Sequence, residues 1–406
     1  MATLAMGAGS AKLIGIASTV LLTRIYSPED YAVLAIYSAL VNVLVPILTL
    51  RYALAIPLPR TSAMAANVLA LSAILILVLG FLSGLVMWLG GPALLHWMSM
   101  EELIPWRGLV VAGGMAVAIY ELLGMWATRR QAFSVLAQTQ VGQAVVGEGL
   151  KLTLGALGAR PIGLIIGQLV SQSGGVGTLL FGFRAELALR TRVSRLRLKM
   201  AARYFRSFPF FRLPSQVLLI GSAQAPLVLS AIYFGTEVTG QLALAFTALA
   251  VPTTLMADSI GRAYFGSISK LGRRQPDAVR RLTLSILGRV FLLSLPPTFL
   301  LMTGGEWLFR VAFGDRWAQA GTFASALAVL MVAQFMNRST VSYMMSVFGG
   351  EKQVLYLNVQ RVALTLGSFW LGHVTNLPPL HVLVLYAAAL SVHYVVGIFL
   401  AFAKLR

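Results

Sequence analysis

The chain has 406 residues, of which 58% are hydrophobic and only 11% charged, with a formal net charge of +19 and no cysteine. A soluble domain is nearer a quarter charged; here apolar runs long enough to span a bilayer recur throughout, which excludes a water-soluble globular protein and also a β-barrel, whose segments are about ten residues long and alternate. The absence of cysteine removes disulfides, thiolate metal sites and a Cys nucleophile, and the positive charge reads as topology signal and headgroup contact, because no aromatic–basic nucleic-acid module interrupts the spans.

In chain order, spans are expected at about Leu4–Leu22, Tyr31–Leu50, Ala65–Leu89, Leu109–Ala127, Leu136–Leu157, Ile162–Phe181, Leu213–Tyr233, Gln241–Ser259, Leu282–Thr303, Thr322–Val347, Val354–Leu371 and Leu380–Phe402. The first lacks a basic leader and runs directly into the second, so it reads as a retained helix. The expected fold is an all-α polytopic membrane protein. About twelve transmembrane helices form two six-helix lobes around a central cavity, residues 1–183 and 213–406. Residues 184–212 join the lobes. Their alternation of basic and apolar residues, RTRVSRLRLKMAARYFRSFPFFRL, suits a helix lying on the inner leaflet.

Arginine and lysine set the orientation. With the amino terminus inside, the inner segments hold Arg51 and Arg60, Arg129 and Arg130, the cluster from Arg184 to Arg212, the cluster from Arg262 to Arg281, Lys352, Lys404 and Arg406. The outer segments hold only Arg24, Arg107, Arg160, Arg310 and Arg316. Both termini are therefore expected in the cytoplasm.

Polar side chains inside spans are costly, so the faces they share locate a cavity. In the fifth span Gln140, Gln143, Glu148 and Lys151 fall within an arc of about 140°, and Glu148 and Lys151, three apart, can pair. The sixth span carries Gln168, Ser171 and Gln172 on one side. The tenth has Gln334, Arg338 and Ser342 in one stripe, and the eleventh has Asn358, Arg361 and Thr365 in another. Lys12 lies within the first span, with Arg24 and Arg51 at the ends of the first hairpin. Helix–helix glue explains many such glutamines and serines. Lys12, Lys151, Arg338 and Arg361 outnumber the intramembrane acids Glu121, Glu148 and Asp258, and a surplus of cations asks for an anionic ligand; arginine suits phosphate through its planar fork. Glu121 and Glu148 have two readings, ion pairs with nearby cations or coupling sites for a proton or sodium ion. No cofactor beyond such an ion is implied. No HExxH, phosphate-loop lysine or GxSxG motif is present, so nothing in the chain reads as an enzyme site.

The stretches GSAKLIGIASTVLLTRIYSPEDYAVLAIYSALVNVL and TLRYALAIPLPRTSAMAANVLALS resemble the amino-terminal signature of Wzx-type polysaccharide flippases, within the multidrug/oligosaccharidyl-lipid/polysaccharide exporter superfamily. The likeness continues through YELLGMWATRRQAFSVLAQTQVGQA, PIGLIIGQLV, YFRSFPFFRLPSQVL and FGTEVTGQLALAFTALAVPTTLM and fades after about Arg281. Ala53 is a departure, because the family often carries an acid there, and Arg51 loses that neighbour. The resemblance implies movement of an undecaprenyl-pyrophosphate-linked oligosaccharide, such as an O-antigen repeat unit of lipopolysaccharide, across the bacterial inner membrane. It also implies alternating access, ion coupling, and contact of the positions Arg24 and Arg51 with pyrophosphate. Membrane lipids are further partners; whether polysaccharide polymerase machinery joins them stays open, as does the sugar. The competing readings are a cation-coupled drug or metabolite antiporter of the same superfamily, which would want a cavity of acids and aromatics, and a membrane polymerase, which would want a long outer loop.

Overall fold

A computed structural model describes residues 2–184, 193–349 and 351–405, and every described element is helical. The protein is an all-α polytopic membrane protein. Among the described residues, nine helical segments are long and apolar enough to cross a membrane. The chain divides into two compact units, Met1–Gly221 and Ser222–Arg406. That division falls a few residues beyond the expected start of the second lobe at Leu213, inside a long helix. Part of the expected joining segment, 185–192, lies outside the described residues.

In unit 1 the helices are α1 (Ala2–Ile25), α2 (Pro28–Thr49), α3 (Ser62–Trp97), α4 (Arg107–Arg129), α5 (Phe133–Ala156), α6 (Ile162–Ser173), α7 (Val176–Gly182) and α8 (Arg195–Tyr204). The polar turn between α1 and α2 is a capping box. Ser27 Oγ accepts from the Asp30 amide at 3.4 Å, and Asp30 Oδ2 accepts from the Ser27 amide at 2.9 Å. Two orphan donors are satisfied reciprocally, and Pro28 presets the first helical φ. At 36 residues, α3 is about 54 Å long against a hydrocarbon core of about 30 Å, so it tilts or projects beyond it. Its exposed Phe81, Val86 and Leu89 give it a lipid-facing side. The sixth expected span is broken into α6 and α7 at Gly174 and Gly175.

α5 is not among the nine apolar segments, because its polar stripe lowers its hydropathy; packing covers it instead, with α1 on one side and α6 on the other. The α5–α6 approach is close enough that Gly147 stands against Ser171 and the backbone of Gly167, while Gly167 stands against Lys151 and the Gly147 carbonyl. A Cβ on either would collide, which is how small residues bring membrane helices together.

The helix α9 (Leu213–Leu271) begins in unit 1 and continues into unit 2, where it leads to α10 (Pro276–Phe313), α11 (Ala318–Met336), α12 (Ser342–Phe348), α13 (Glu351–Val374) and α14 (Pro379–Ala403). The break expected between the spans ending at Tyr233 and starting at Gln241 is a one-residue bend. Gly235, at φ 81° and ψ −175°, interrupts α9, a conformation only glycine adopts without strain, and helix resumes at once. Two expected spans therefore form one apolar stretch, Phe208–Ala250. Between α11 and α12 a π-helical turn, Asn337–Val341, carries Arg338. α10 packs on α11, and α14 packs on α11 and α13. Gln241 ties α9 to the start of α11, its Nε2 donating to the Arg316 carbonyl at 2.6 Å and its Oε1 accepting from the Ala320 amide at 3.0 Å.

Gly147→Leu is expected to lower the thermal midpoint of the detergent-solubilised protein by several degrees, an overpacking cost of about 1–3 kcal/mol. Gly149→Ala, where a Cβ meets nothing within 4 Å, leaves the midpoint unchanged or raises it. Thermal unfolding of the two variants beside the parent measures the contrast.

Candidate functional site

The first polar constellation forms where α2 ends. Leu50 and Arg51 both take left-handed backbone, at φ 44° and 60°, and this turns the chain into a short 3-10 helix, Tyr52–Ala55. The reversal aims Arg51 at α4, where its Nη1 lies 3.1 Å from Glu121 Oε1. The acid missing at position 53 is thus supplied from a distant helix. Further along α4, Arg129 Nη1 donates to the Pro59 carbonyl at 2.6 Å and to those of Ile56 and Pro57 at 3.4 Å. Two α4 side chains therefore hold both ends of the loop after α2. The buried Nε of Arg51 has no hydrogen-bond partner. Beside it, burial pushes the Tyr52 phenol pKa up, so the group stays a neutral donor; its hydroxyl donates to the Ala202 carbonyl of α8 at 3.0 Å.

The second constellation lies between α1, α5 and α6. Lys151 Nζ donates to Glu148 Oε1 at 2.8 Å and to Gln168 Oε1 at 2.9 Å. Ser18 Oγ donates to the other oxygen of Glu148 at 2.8 Å, and the Tyr26 hydroxyl donates to the Lys151 carbonyl at 2.7 Å. Both members of the ion pair are nearly covered, with side chains 7% and 12% exposed. Lys151 and Glu148 thus neutralise one another within unit 1. Gln143, expected on a wet face, is buried and accepts from the Gly175 amide at 3.0 Å. It staples α5 to the break between α6 and α7. Gln140 keeps a buried, unpartnered Oε1, as does Gln172. Lys12 and Arg24 stand exposed on α1.

The third constellation is a cavity of about 240 Å³ in unit 2, lined by Gln334, Arg338, Arg361, Gln224, Tyr386 and Tyr394 together with apolar side chains of α9, α11 and α14. Two arginines enter it from different helices, and the Nε of Arg361 is buried without a partner. Its described lining contains no carboxylate. Of the expected stripes it unites Gln334, Arg338 and Arg361. Ser342 falls outside it because the π-turn inserts a residue and rotates the helix beyond it by on the order of 100°. Asn358 and Thr365 also fall outside; Thr365 instead donates to the Arg361 carbonyl one turn back, at 2.9 Å. Tyr386 and Tyr394 line the cavity as well, which sequence reasoning missed, and their spacing of two turns on α14 was the available signal. His393 between them is buried and bonds Gln360 at 3.0 Å through Nδ1. Among the described residues no three of His, Cys, Asp or Glu come together to hold a metal ion.

A family model described as "Polysaccharide biosynthesis protein" matches residues 21–322. Among solved structures the chain is similar to the inward-facing conformation of a multidrug resistance MATE family transporter of the MOP superfamily. The identity is 17% and the TM-score 0.67, with coverage of 100% of this chain and 94% of that one. It is also similar to a MOP superfamily transporter from Pyrococcus furiosus, described as having a binding pocket of reverse polarity that suggests a different function. There the identity is 16% and the TM-score 0.64, over 100% and 95% of the two chains. A MATE transporter in complex with MaD3S matches at 17% identity and a TM-score of 0.61, over 99% and 94%. No curated protein sequence matches it.

Arg51→Ala and Glu121→Ala are each expected to destabilise the purified protein, and the double variant to lose less than the sum. The coupling energy should be on the order of 1 kcal/mol, as for side chains in direct contact. A double-mutant cycle of unfolding measurements that returns zero coupling would show that the two side chains do not stabilise one another.

Proposed function

The chain belongs to the polysaccharide biosynthesis protein family, and from that membership and its MOP-superfamily fold we propose that it is a flippase. Its cargo is an undecaprenyl-pyrophosphate-linked oligosaccharide, a surface polysaccharide repeat unit, moved across the bacterial inner membrane by alternating access. A pyrophosphate and several sugars do not cross about 30 Å of hydrocarbon unaided. The observation that carries this reading is the unit 2 cavity, with Arg338 and Arg361 in its wall and no carboxylate in its described lining. Arginine forks bind phosphate oxygens in pairs; a site for cationic drugs would place acids there, which disfavours the antiporter reading. Arg51, with Glu121 fixing its direction, supplies a further cation at the end of the first hairpin, and Arg24 and Lys12 supply others along it.

Transport is coupled to a proton or sodium gradient through Glu148, whose neutralisation would release Lys151 from its pair, with Glu121 as the second candidate. In proteoliposomes, Glu148→Gln is accordingly expected to uncouple transport from the imposed ion gradient, read as equal initial rates with and without it.

Cells lacking the gene should accumulate lipid-linked oligosaccharide on the cytoplasmic leaflet and lose surface polymer. Arg361→Ala should reduce export about tenfold or more at normal expression, the scale of a lost charged hydrogen bond, while Arg361→Lys retains part of it. Normal surface polymer in the deletion strain, with no redundant transporter, would refute the reading.

A further inference from the structure

A second, apolar cavity adjoins the arginine-lined one in unit 2. It holds about 90 Å³ between α9, α10 and α11. At its inner end it shares the side chains of Thr253, Met331 and Phe335 with the polar cavity. At its outer end lie Met256, Leu293 and Pro297. Met256 and Leu293 are 38% and 49% exposed, and Pro297 is exposed as well. Met256 comes from α9, and Leu293 and Pro297 belong to the outer face of α10, which also carries exposed Leu292, Leu295, Phe299 and Leu300 and is long and apolar enough to cross a membrane. The slot therefore runs from the hydrocarbon side of unit 2 to the wall of a cationic cavity. Pro296 and Pro297 withdraw two backbone donors from α10 along this stretch, and such places are where helices bend or open.

We infer that the slot holds the hydrocarbon chain of an anionic amphiphile whose phosphate sits on Arg338 and Arg361. The inference rests on the flippase reading and deepens it, because it assigns the two chemistries of one cargo to two adjoining spaces. A free anion would use the arginines and leave the slot without purpose. A bilayer phospholipid with no link to the cavity would use the slot alone. Only a molecule with a charged phosphate and an attached apolar chain fills both, and the shared residues Thr253, Met331 and Phe335 mark where head and chain join. The occupant is the prenyl chain of the transported lipid, near its phosphate, since the slot admits a short segment and the rim lets the remainder pass into the bilayer.

The test uses the full-length protein in phosphatidylcholine nanodiscs, with geranylgeranyl diphosphate and inorganic pyrophosphate as probes. Thr298→Trp fills the slot from its partly exposed wall, and Leu293→Trp obstructs the exposed rim where folding is not at stake. Both should weaken geranylgeranyl diphosphate about tenfold and leave inorganic pyrophosphate unchanged, while Arg361→Gln weakens both probes. Equal affinity of parent and slot variants for geranylgeranyl diphosphate overturns the inference and leaves the flippase reading standing. Displacement of the prenyl probe by phosphatidylglycerol at equal concentration shows a general lipid site and also overturns it. Failure of the parent to bind either probe removes the cavity from the flippase reading and the inference with it.

Discussion

An ammonium taken out of water costs several kcal/mol unless its donors are met, and unit 1 is arranged around meeting them for Lys151. No single neighbouring helix does so. Glu148, one turn away on α5, supplies the charge, Gln168 on α6 a second acceptor, and Ser18 on α1 steadies the free carboxylate oxygen. These contacts need α6 to lie against α5 more closely than ordinary side chains permit, and Gly147 and Gly167 allow it. Tyr26 then closes the same cluster from the end of α1. Sequence composition, helix approach and electrostatics thus form one constraint. Enlarging a glycine strands the lysine, and removing the glutamate leaves a charge that the packing holds in place.

The same physics has a different outcome elsewhere. At the end of α2, Arg51 meets its carboxylate only because two successive left-handed residues turn the chain toward α4. Left-handed backbone at non-glycine positions costs of order 1–2 kcal/mol per residue, which the ion pair and the Arg129 contacts to the loop carbonyls offset. In unit 2 Arg338 and Arg361 come from different helices to the wall of one cavity. In unit 1 the interior lysine meets its acid on the same helix, whereas in unit 2 guanidinium groups from two helices line one cavity, and on the proposed reading that is where the anion sits.

Much of the fold was legible in sequence, because helix existence in a membrane follows from apolar length. The Glu148–Lys151 pair was legible too, since it needs only helical periodicity. The Arg51–Glu121 pair was not, because nothing local links residues 70 apart. The π-turn at Asn337–Val341 was equally invisible, and it is why a stripe drawn at regular helical spacing through Gln334, Arg338 and Ser342 came apart after its second member. Gly235 shows the converse. A short polar stretch reads as a loop, yet a single residue with left-handed freedom makes the bend and the polar residues after it remain helical. Tyr386 and Tyr394 were overlooked because an amphipathic ring in an apolar span counts as hydrophobic until a neighbour shows which face it lines.

Cavity size sharpens what the arginine site can recognise. At about 240 Å³ it falls below the roughly 300–1,000 Å³ of sites that enclose a drug-sized ligand, and an oligosaccharide is larger than that. A pyrophosphate fits, and the adjoining slot takes a short length of chain, so on the proposed reading this part of unit 2 grips the linkage between lipid and glycan and leaves the sugars outside. The linkage is the portion of the cargo that does not change when the repeat unit does. Binding energy concentrated there gives affinity without committing to a sugar sequence, because the guanidinium forks recognise phosphate geometry alone. Discrimination among glycans must then come from groups outside this cavity, and substitutions at Arg338 or Arg361 should weaken every glycan variant by the same factor.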